Sequence, residues 1–427
     1  MQGIYMRILV VILVTSSFYV ALLFNCALAT TSEDLYGEVV FLRGLELGAG
    51  GRALALGGAY RAISEDLSAL YWNPAGLATI RRLEVGIGIS QSMTQDDASI
   101  STTVVSNQLS KTRLNELGMV LPFPTYRGSL VFALGYHQVR QYDSFGTFQE
   151  ITSSYNFQGD ELEAGRLGKW ALGGAIDVSP VVSVGLALNF WTGYDDYSYN
   201  GYQFEDSQNW QEFDQAINWE LSGFNLITGV LLRPAHWLRI GASLESPLKL
   251  KVGESYSELG KQLISGVYTE SPFAENYDYK VSYPFRAGLG TAVTLGPLGL
   301  SSDVVFNDWS QIMFSGEPPF TGLDREEANR EIARLLRPTV DLHFGAELWV
   351  PASPVRIQAG YAWLPSPFKD DNLLTDKHIF SGGINTLLDQ ALLAQATLAW
   401  TGWDRTLGGW GENLQFTHLL LTLSYRF

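Results

Sequence analysis

The chain is poor in cysteine: one thiol, Cys26, stands among 427 residues. A disulfide framework and a Cys-ligated metal site are both excluded if residues 1–29 are removed as a leader. Charge is scarce too, at 17% Asp, Glu, Lys and Arg, against about a quarter in soluble domains. What charge there is runs acidic, with 28 basic against 44 acidic side chains and a net charge of −16. Nucleic acid is an unsuitable partner, because phosphates need Lys and Arg. Beyond residue 29 there is no run of about 18 apolar residues, the length a helix needs to cross a bilayer. Yet 46% of the residues are hydrophobic and 13% aromatic, while mean hydropathy is only +0.04. A helical membrane bundle is excluded. The five histidines, His137, His236, His343, His378 and His418, show no H-E-x-x-H or H-x-H spacing, so neither metal nor cofactor is expected. No G-x-S-x-G is present, and no enzyme activity is predicted.

Residues 1–29 read as a secretory signal, with Arg7 before the apolar stretch Ile8 to Phe24 and Ala27-Leu28-Ala29 at the cleavage site. An exported chain that meets lipid without a spanning helix has one solution, a closed β-barrel. Residues 83–427 carry its grammar. Val85, Ile87 and Ile89 alternate with Glu84, Gly86, Gly88 and Ser90, and Val340, Leu342, Phe344 and Leu348 with Asp341, His343, Gly345 and Glu347. The apolar row is predicted to face lipid and the polar row the lumen. About fourteen strands follow, starting near residues 83, 114, 128, 166, 181, 218, 236, 279, 298, 339, 355, 378, 391 and 416. Short connections, such as Ser179-Pro180 and Gly296–Gly299, alternate with long ones near 93–113, 141–165, 193–217, 248–278, 310–338, 365–377 and 402–415. That rhythm is what periplasmic turns and extracellular loops produce. The expected class is all-β, an antiparallel transmembrane barrel in the bacterial outer membrane. Leu323–Leu336 is expected to form a short surface helix that stops before Pro338.

Residues 30–82 differ. After a lead with no clear element, residues 44–80 alternate glycines with short helical pieces and end at Asn73-Pro74. The block is predicted to be a compact plug inside the barrel. Gly48-Ala49-Gly50-Gly51-Arg52-Ala53 fits G-x-G-x-x-A, but no βαβ unit follows, which a dinucleotide site requires. Asn73-Pro74 on its own is an ordinary turn starter. In its setting, Tyr71-Trp72-Asn73-Pro74-Ala75-Gly76-Leu77 after Arg52-Ala53, Gly57-Gly58-Ala59-Tyr60 and Asp66, it resembles the N-terminal hatch of the FadL/TodX outer-membrane hydrophobic-compound transporters. The final row Leu419, Leu421, Leu423, Tyr425, Phe427 resembles the signal read by the barrel-assembly machinery.

The resemblance implies passive uptake of long-chain fatty acids or similar hydrophobic molecules through a hatch-gated barrel. It also implies lateral exit at an inward kink of the third strand, for which Gly135 is the only obvious place. Asn73, Pro74, Ala75, Gly57, Gly58 and Trp72 are the expected hatch and gating residues. Tyr197, Tyr199, Phe204 and Trp210 form an aromatic loop that either belongs to an interfacial girdle or captures ligand. Outer-membrane lipid and lipopolysaccharide are the expected surroundings. A PorV-like barrel, with a similar Trp-Asn-Pro-Ala hatch serving protein secretion, is the alternative.

Overall fold

The computed structural model describes residues 45–100, 103–319, 324–370, 373–407 and 410–427. The expected signal at 1–29 and the lead at 30–43 lie outside them. The wall is a closed antiparallel barrel of fourteen strands. In chain order these are β1 Glu84–Ile100, β2 Thr103–Phe123, β3 Leu130–Gln141 continued by Ser144–Ile151, β4 Asn156–Asp177, β5 Val182–Asp206, β6 Asn209–Ala235 and β7 Leu238–Glu245 continued by Lys249–Ile264. There follow β8 Val267–Ser282 continued by Arg286–Leu295, β9 Leu298–Asp308, β10 Pro338–Trp349, β11 Val355–Leu364, β12 Lys377–Leu387, β13 Leu392–Leu407 and β14 Trp410–Arg426. β14 pairs with β1 from Gly411↔Ser99 to Arg426↔Glu84. Closure pairs the first strand with the last, the condition for a sheet in hydrocarbon.

Alternation assigns the faces as the sequence suggests. Ile89 and Phe344 are half exposed on the outer surface, at 50% and 49%, while Glu84, Ser90, Asp341, His343 and Glu347 are buried inside. β9 to β12 have 11, 12, 10 and 11 residues, the length that crosses the bilayer core at a tilt.

Elsewhere the strands run far past that length. β5 has 25 residues and β6 has 27, so most of the expected loop at 193–217 is a continuous ladder. The same holds at 93–113, 141–165, 248–278 and 402–415. Above the lipid the outward row turns polar, as at Asp196, Ser198 and Asn200, so the apolar rhythm stops although hydrogen bonding does not. Only 310–338 and 365–377 leave the sheet for long.

The first of these holds α3, Arg325–Leu335, capped by Asp324 accepting from Glu327 N–H at 2.8 Å. Its Ala328, Ile332 and Leu335 share one face and are buried against the apolar interior of the lumen. α3 is therefore amphipathic, its polar side alone belonging to the surface.

Candidate functional site

Residues 45–80 fill part of the lumen. α1 (Gly51–Ala55), α2 (Ala69–Trp72) and a 3₁₀ turn over Pro74–Thr79 are too short to hold themselves by propensity, so the wall must position them. Asn73 does much of this. Its Nδ2 donates to Arg61 O at 2.8 Å within the plug and to Val230 O of β6 at 3.1 Å. Its Oδ1 accepts from Ala75 N–H at 3.1 Å. Pro74 occupies the first turn position, where a missing N–H is harmless. The two backbones meet so closely that a Cβ on Gly229 would lie 2.0 Å from Asn73 Oδ1.

Gly57 and Gly58 take φ of +63° and +80°, the left-handed region that favours glycine. They touch another part of the wall. Gly57 N–H donates to Ser381 Oγ at 3.2 Å, and His343 Nδ1 lies 2.7 Å from Gly57 O. Trp72 lies between the two contacts, its Nε1 donating to Ala49 O at 2.8 Å. The six expected hatch residues thus form one body braced against β5 and β6 on one side and β10 to β12 on another. A Cβ on Gly360 would sit 2.0 Å from Gly57 N. Gly360→Val is therefore expected to displace the plug, which limited trypsin digestion reads as new cleavage after Arg52 or Arg61.

Charged clamps supplement these contacts, and spacing gave no sign of them. Asp303 of β9 accepts from Tyr60 N–H at 3.1 Å, from Arg61 N–H at 3.0 Å and from Arg61 Nη1 at 3.0 Å. The Arg61 guanidinium also lies 5.5 Å from the Trp72 ring centre. Arg52 grips Glu347 of β10 with two hydrogen bonds, at 2.9 and 2.8 Å. Glu65 pairs with Arg239 of β7. Burial would raise the Glu65 carboxyl, but Arg239 and Arg52 outweigh it and hold the group below the ordinary range.

The third strand departs from its cylinder next to the plug. Gly135 lies in regular register between Gly118 and Ala171, and a Cβ there would come within 3.0 Å of Leu67 in the plug. It is a seat for that leucine. The bend comes later: the register slips between Gln138 and Arg140, and the strand resumes at Ser144. Pairing of β2 with β3 ends at Glu116↔His137. The upper half of β3 then runs in front of the inner face of β1, where Ser92 Oγ donates to Gln141 Oε1 and Thr94 Oγ1 to Asp143 O, both at 3.0 Å. Leu45 and Glu46 add a short strand to the bend, pairing with Gln141 and Arg140. Glu46 then binds Arg286 at 2.6 Å and Arg140 at 2.8 Å. Burial pushes its carboxyl up, yet Arg286 and Arg140 bring it far below the usual value.

A cavity of about 110 Å³ lies above the plug, with Leu47, Trp72, Arg140, Val305, Leu374 and Lys377 among its walls. Lys377 Nζ rests 4.7 Å from the Trp403 ring centre. Among the described residues it has no carboxylate partner. An apolar interior continues from the plug's Tyr71 and Trp72 through Trp219, Leu250 and Phe314 to Ile332 of α3.

The four expected capture residues do not form one surface. Tyr197 and Tyr199 are inward positions of β5, Tyr199 being buried with its ring 6.3 Å from Phe213. Phe204 is exposed on the outer face, where it is paired with Trp210 of β6. Tyr202 stacks with Phe204 at 6.4 Å and tilts against Trp210 at 6.3 Å. The lipid-facing row of β5 ends near Phe190, so this outer group stands well above the membrane edge rather than in a girdle. A strand sends successive side chains to opposite faces, and the continuous β5 splits the set by parity.

A family model described as Uncharacterised protein family (UPF0164) matches residues 21–112. No curated protein matches the chain. Solved structures do. A FadL homologue from Pseudomonas aeruginosa has a TM-score of 0.62 at 13% identity, over 90% of this chain and 98% of that one. The toluene transporter TodX of Pseudomonas putida has a TM-score of 0.60 at 13% identity, over 90% and 99%. The toluene transporter TbuX of Ralstonia pickettii has a TM-score of 0.58 at 13% identity, over 89% and 99%. Full-length agreement at such low identity is agreement of fold. The chain is an outer-membrane β-barrel with the FadL/TodX fold.

Proposed function

We propose that this barrel carries hydrophobic small molecules through the outer membrane by diffusion, with residues 45–80 acting as a hatch. The observation that carries the reading is the unbroken apolar interior from α3 down to Trp72, inside a lumen whose plug is clamped to the wall. Water and ions gain nothing from such a path. An apolar solute loses contact with water along it and needs no energy source beyond its own partition. Inward Tyr197 packs against this interior, and the unpaired upper edge of β2 beside the bent β3 provides one side exit.

Two features of the cavity bear on the solute. Its volume, about 110 Å³, is below that of the roughly 150 Å³ apolar cavity that holds benzene, so it takes nothing bulkier than a compact ring. The Lys377 amine, with no carboxylate partner among the described residues, suits an amphipathic acid whose tail extends into the apolar column. We therefore infer a ligand of the long-chain fatty acid kind, with monoaromatic hydrocarbons as the second reading that cavity size supports.

Purified barrel in detergent tests both. A ligand at a hundred times its Kd stabilises the folded state by about 2.7 kcal/mol, read as a higher melting temperature. Oleate and toluene are each expected to raise it. Lys377→Met is expected to weaken oleate roughly tenfold or more, by loss of a charge-assisted hydrogen bond, and to leave toluene unchanged. If neither raises it and mass spectrometry finds no apolar molecule copurifying, the transport reading fails.

A further inference from the structure

The wall has a second weak seam, on a different side from β3. Pairing of β10 with β11 ends at Leu342↔Trp363. The two chains meet again at the Leu336↔Phe368 bridge, where Arg337 N–H donates to Pro367 O and Lys369 N–H to Leu335 O, both at 2.8 Å, and the Arg337 side chain reaches across to Ser366 O through Nε at 3.0 Å. Between these points Pro338–Asp341 and Leu364–Ser366 face each other without a ladder. Sequence is the cause. Pro338, Pro365 and Pro367 stand along the seam, and none has an N–H to donate.

A gap at this depth is tolerated only if other groups take up the freed backbone. Asp376 does so, accepting from Ser366 N–H through Oδ1 and from Trp363 Nε1 through Oδ2, both at 2.8 Å. One carboxylate thus pins the rim of the opening. Thr339 Oγ1 accepts from Trp309 Nε1 at 2.9 Å on the facing edge.

On the outer surface the seam opens into a groove of about 530 Å³, lined by Val340, Leu342, Trp363, Pro365 and Thr375 among others. The cavity above the hatch is also lined by Pro365 and Thr375. Only these two residues are common to both, so they are the partition between the inner space and the outer groove. Val340 belongs to the same outward row as Phe344 and Leu348, and all three are more than 40% exposed. The groove therefore meets the upper end of the apolar band, at the level of the outer leaflet.

We infer that the β10–β11 seam is a lateral portal, through which a compact apolar solute passes between the cavity above the hatch and the outer leaflet. This rests on the transport reading. The solute leaves over Pro365 and Thr375 without crossing the hatch, and the ladder need not break because it is already interrupted. Movement of the Asp376 rim sets the width.

Uptake of radiolabelled toluene is measured in cells that make the barrel in a host without such transporters, normalised to folded barrel on heat-modifiability gels. Val340→Trp fills the outer groove from outside the lumen, where it cannot obstruct an axial route. It is expected to slow uptake at least about twofold, the β2–β3 edge staying open, while toluene still raises the melting temperature of the purified variant. Leu348→Trp makes the same change lower on the same outward row and is expected to match the unaltered protein. Asp376→Ala releases the rim and is expected to speed uptake. Val340→Trp taking up toluene as fast as Leu348→Trp overturns the portal, whatever Asp376→Ala does. No uptake and no melting shift with the unaltered barrel overturns the transport reading, and the portal with it.

Discussion

Asp303→Ala is expected to release residues 45–80 from the wall while the wall stays closed. One oxygen of this carboxylate holds two plug N–H groups and the Arg61 guanidinium, each at 3.0 to 3.1 Å. Ser243 Oγ takes Arg61 Nε at 3.1 Å and supplies no charge. Removing the acid leaves a buried cation with only Ser243 Oγ and the Trp72 ring beside it, a loss of about 3–5 kcal/mol where such pairs are broken. That approaches the whole stability of a small domain, and the plug has little besides its wall contacts. The wall loses only a side chain, since the backbone of Asp303 stays laddered to Gly290 and His343. In planar bilayers the variant should conduct ions where the unaltered barrel does not, and trypsin should cut after Arg61. Arg61→Met combined with Asp303→Ala removes the stranded charge and should restore much of the closed state. A closed, protease-resistant Asp303→Ala would mean that the clamp contributes little.

The parts legible in the sequence are those with a short period. Val85, Ile87 and Ile89 announce a lipid-facing row because every second residue repeats one environment, and proline or glycine marks every periplasmic turn but the one at Asp389. Above the membrane that signal ends. Ser198 and Asn200 face water outside while Tyr197 and Tyr199 pack inside, so a polar-out strand reads as a loop. Side-chain parity was lost with it, and Phe204 and Trp210 were grouped with residues that point the other way.

Gly135 shows a different limit. A glycine inside a strand signals either a bend or a close approach, and sequence alone does not say which. Here Leu67 of the plug claims the space. The bend is placed instead by the Leu45–Glu46 strand joining at Arg140, a contact between segments far apart in the chain. The clamps are invisible for the same reason: Arg61 and Asp303 are 242 positions apart, and no motif spans that distance. The Trp-Asn-Pro-Ala stretch was legible because its neighbours are local. Its partners were not, although glycines on the polar rows of the wall, such as Gly229 and Gly360, stand where the plug comes closest.

Asn73→Leu decides between the two meanings of that stretch. As a turn starter, Asn73 contributes its conformation and one cap, and leucine should cost about 1 kcal/mol with no change in permeability. As a tie to the wall it does more. Leucine of similar size strands the Arg61 carbonyl and the Ala75 N–H, and removes the tie to Val230 O of the laddered wall. At about 1–3 kcal/mol for each buried group left unsatisfied, the loss is several times larger than that of a cap. A second methyl must also fit where Gly229 already approaches to within van der Waals limits. The expected result is a barrel that is folded on heat-modifiability gels yet conducts in planar bilayers, with its plug open to trypsin. Asp303→Ala should give the same phenotype from another side of the lumen, since each variant breaks a separate attachment of one body. If Asn73→Leu remains closed while Asp303→Ala conducts, the plug hangs from β9, and the Asn-Pro step is a turn and nothing more.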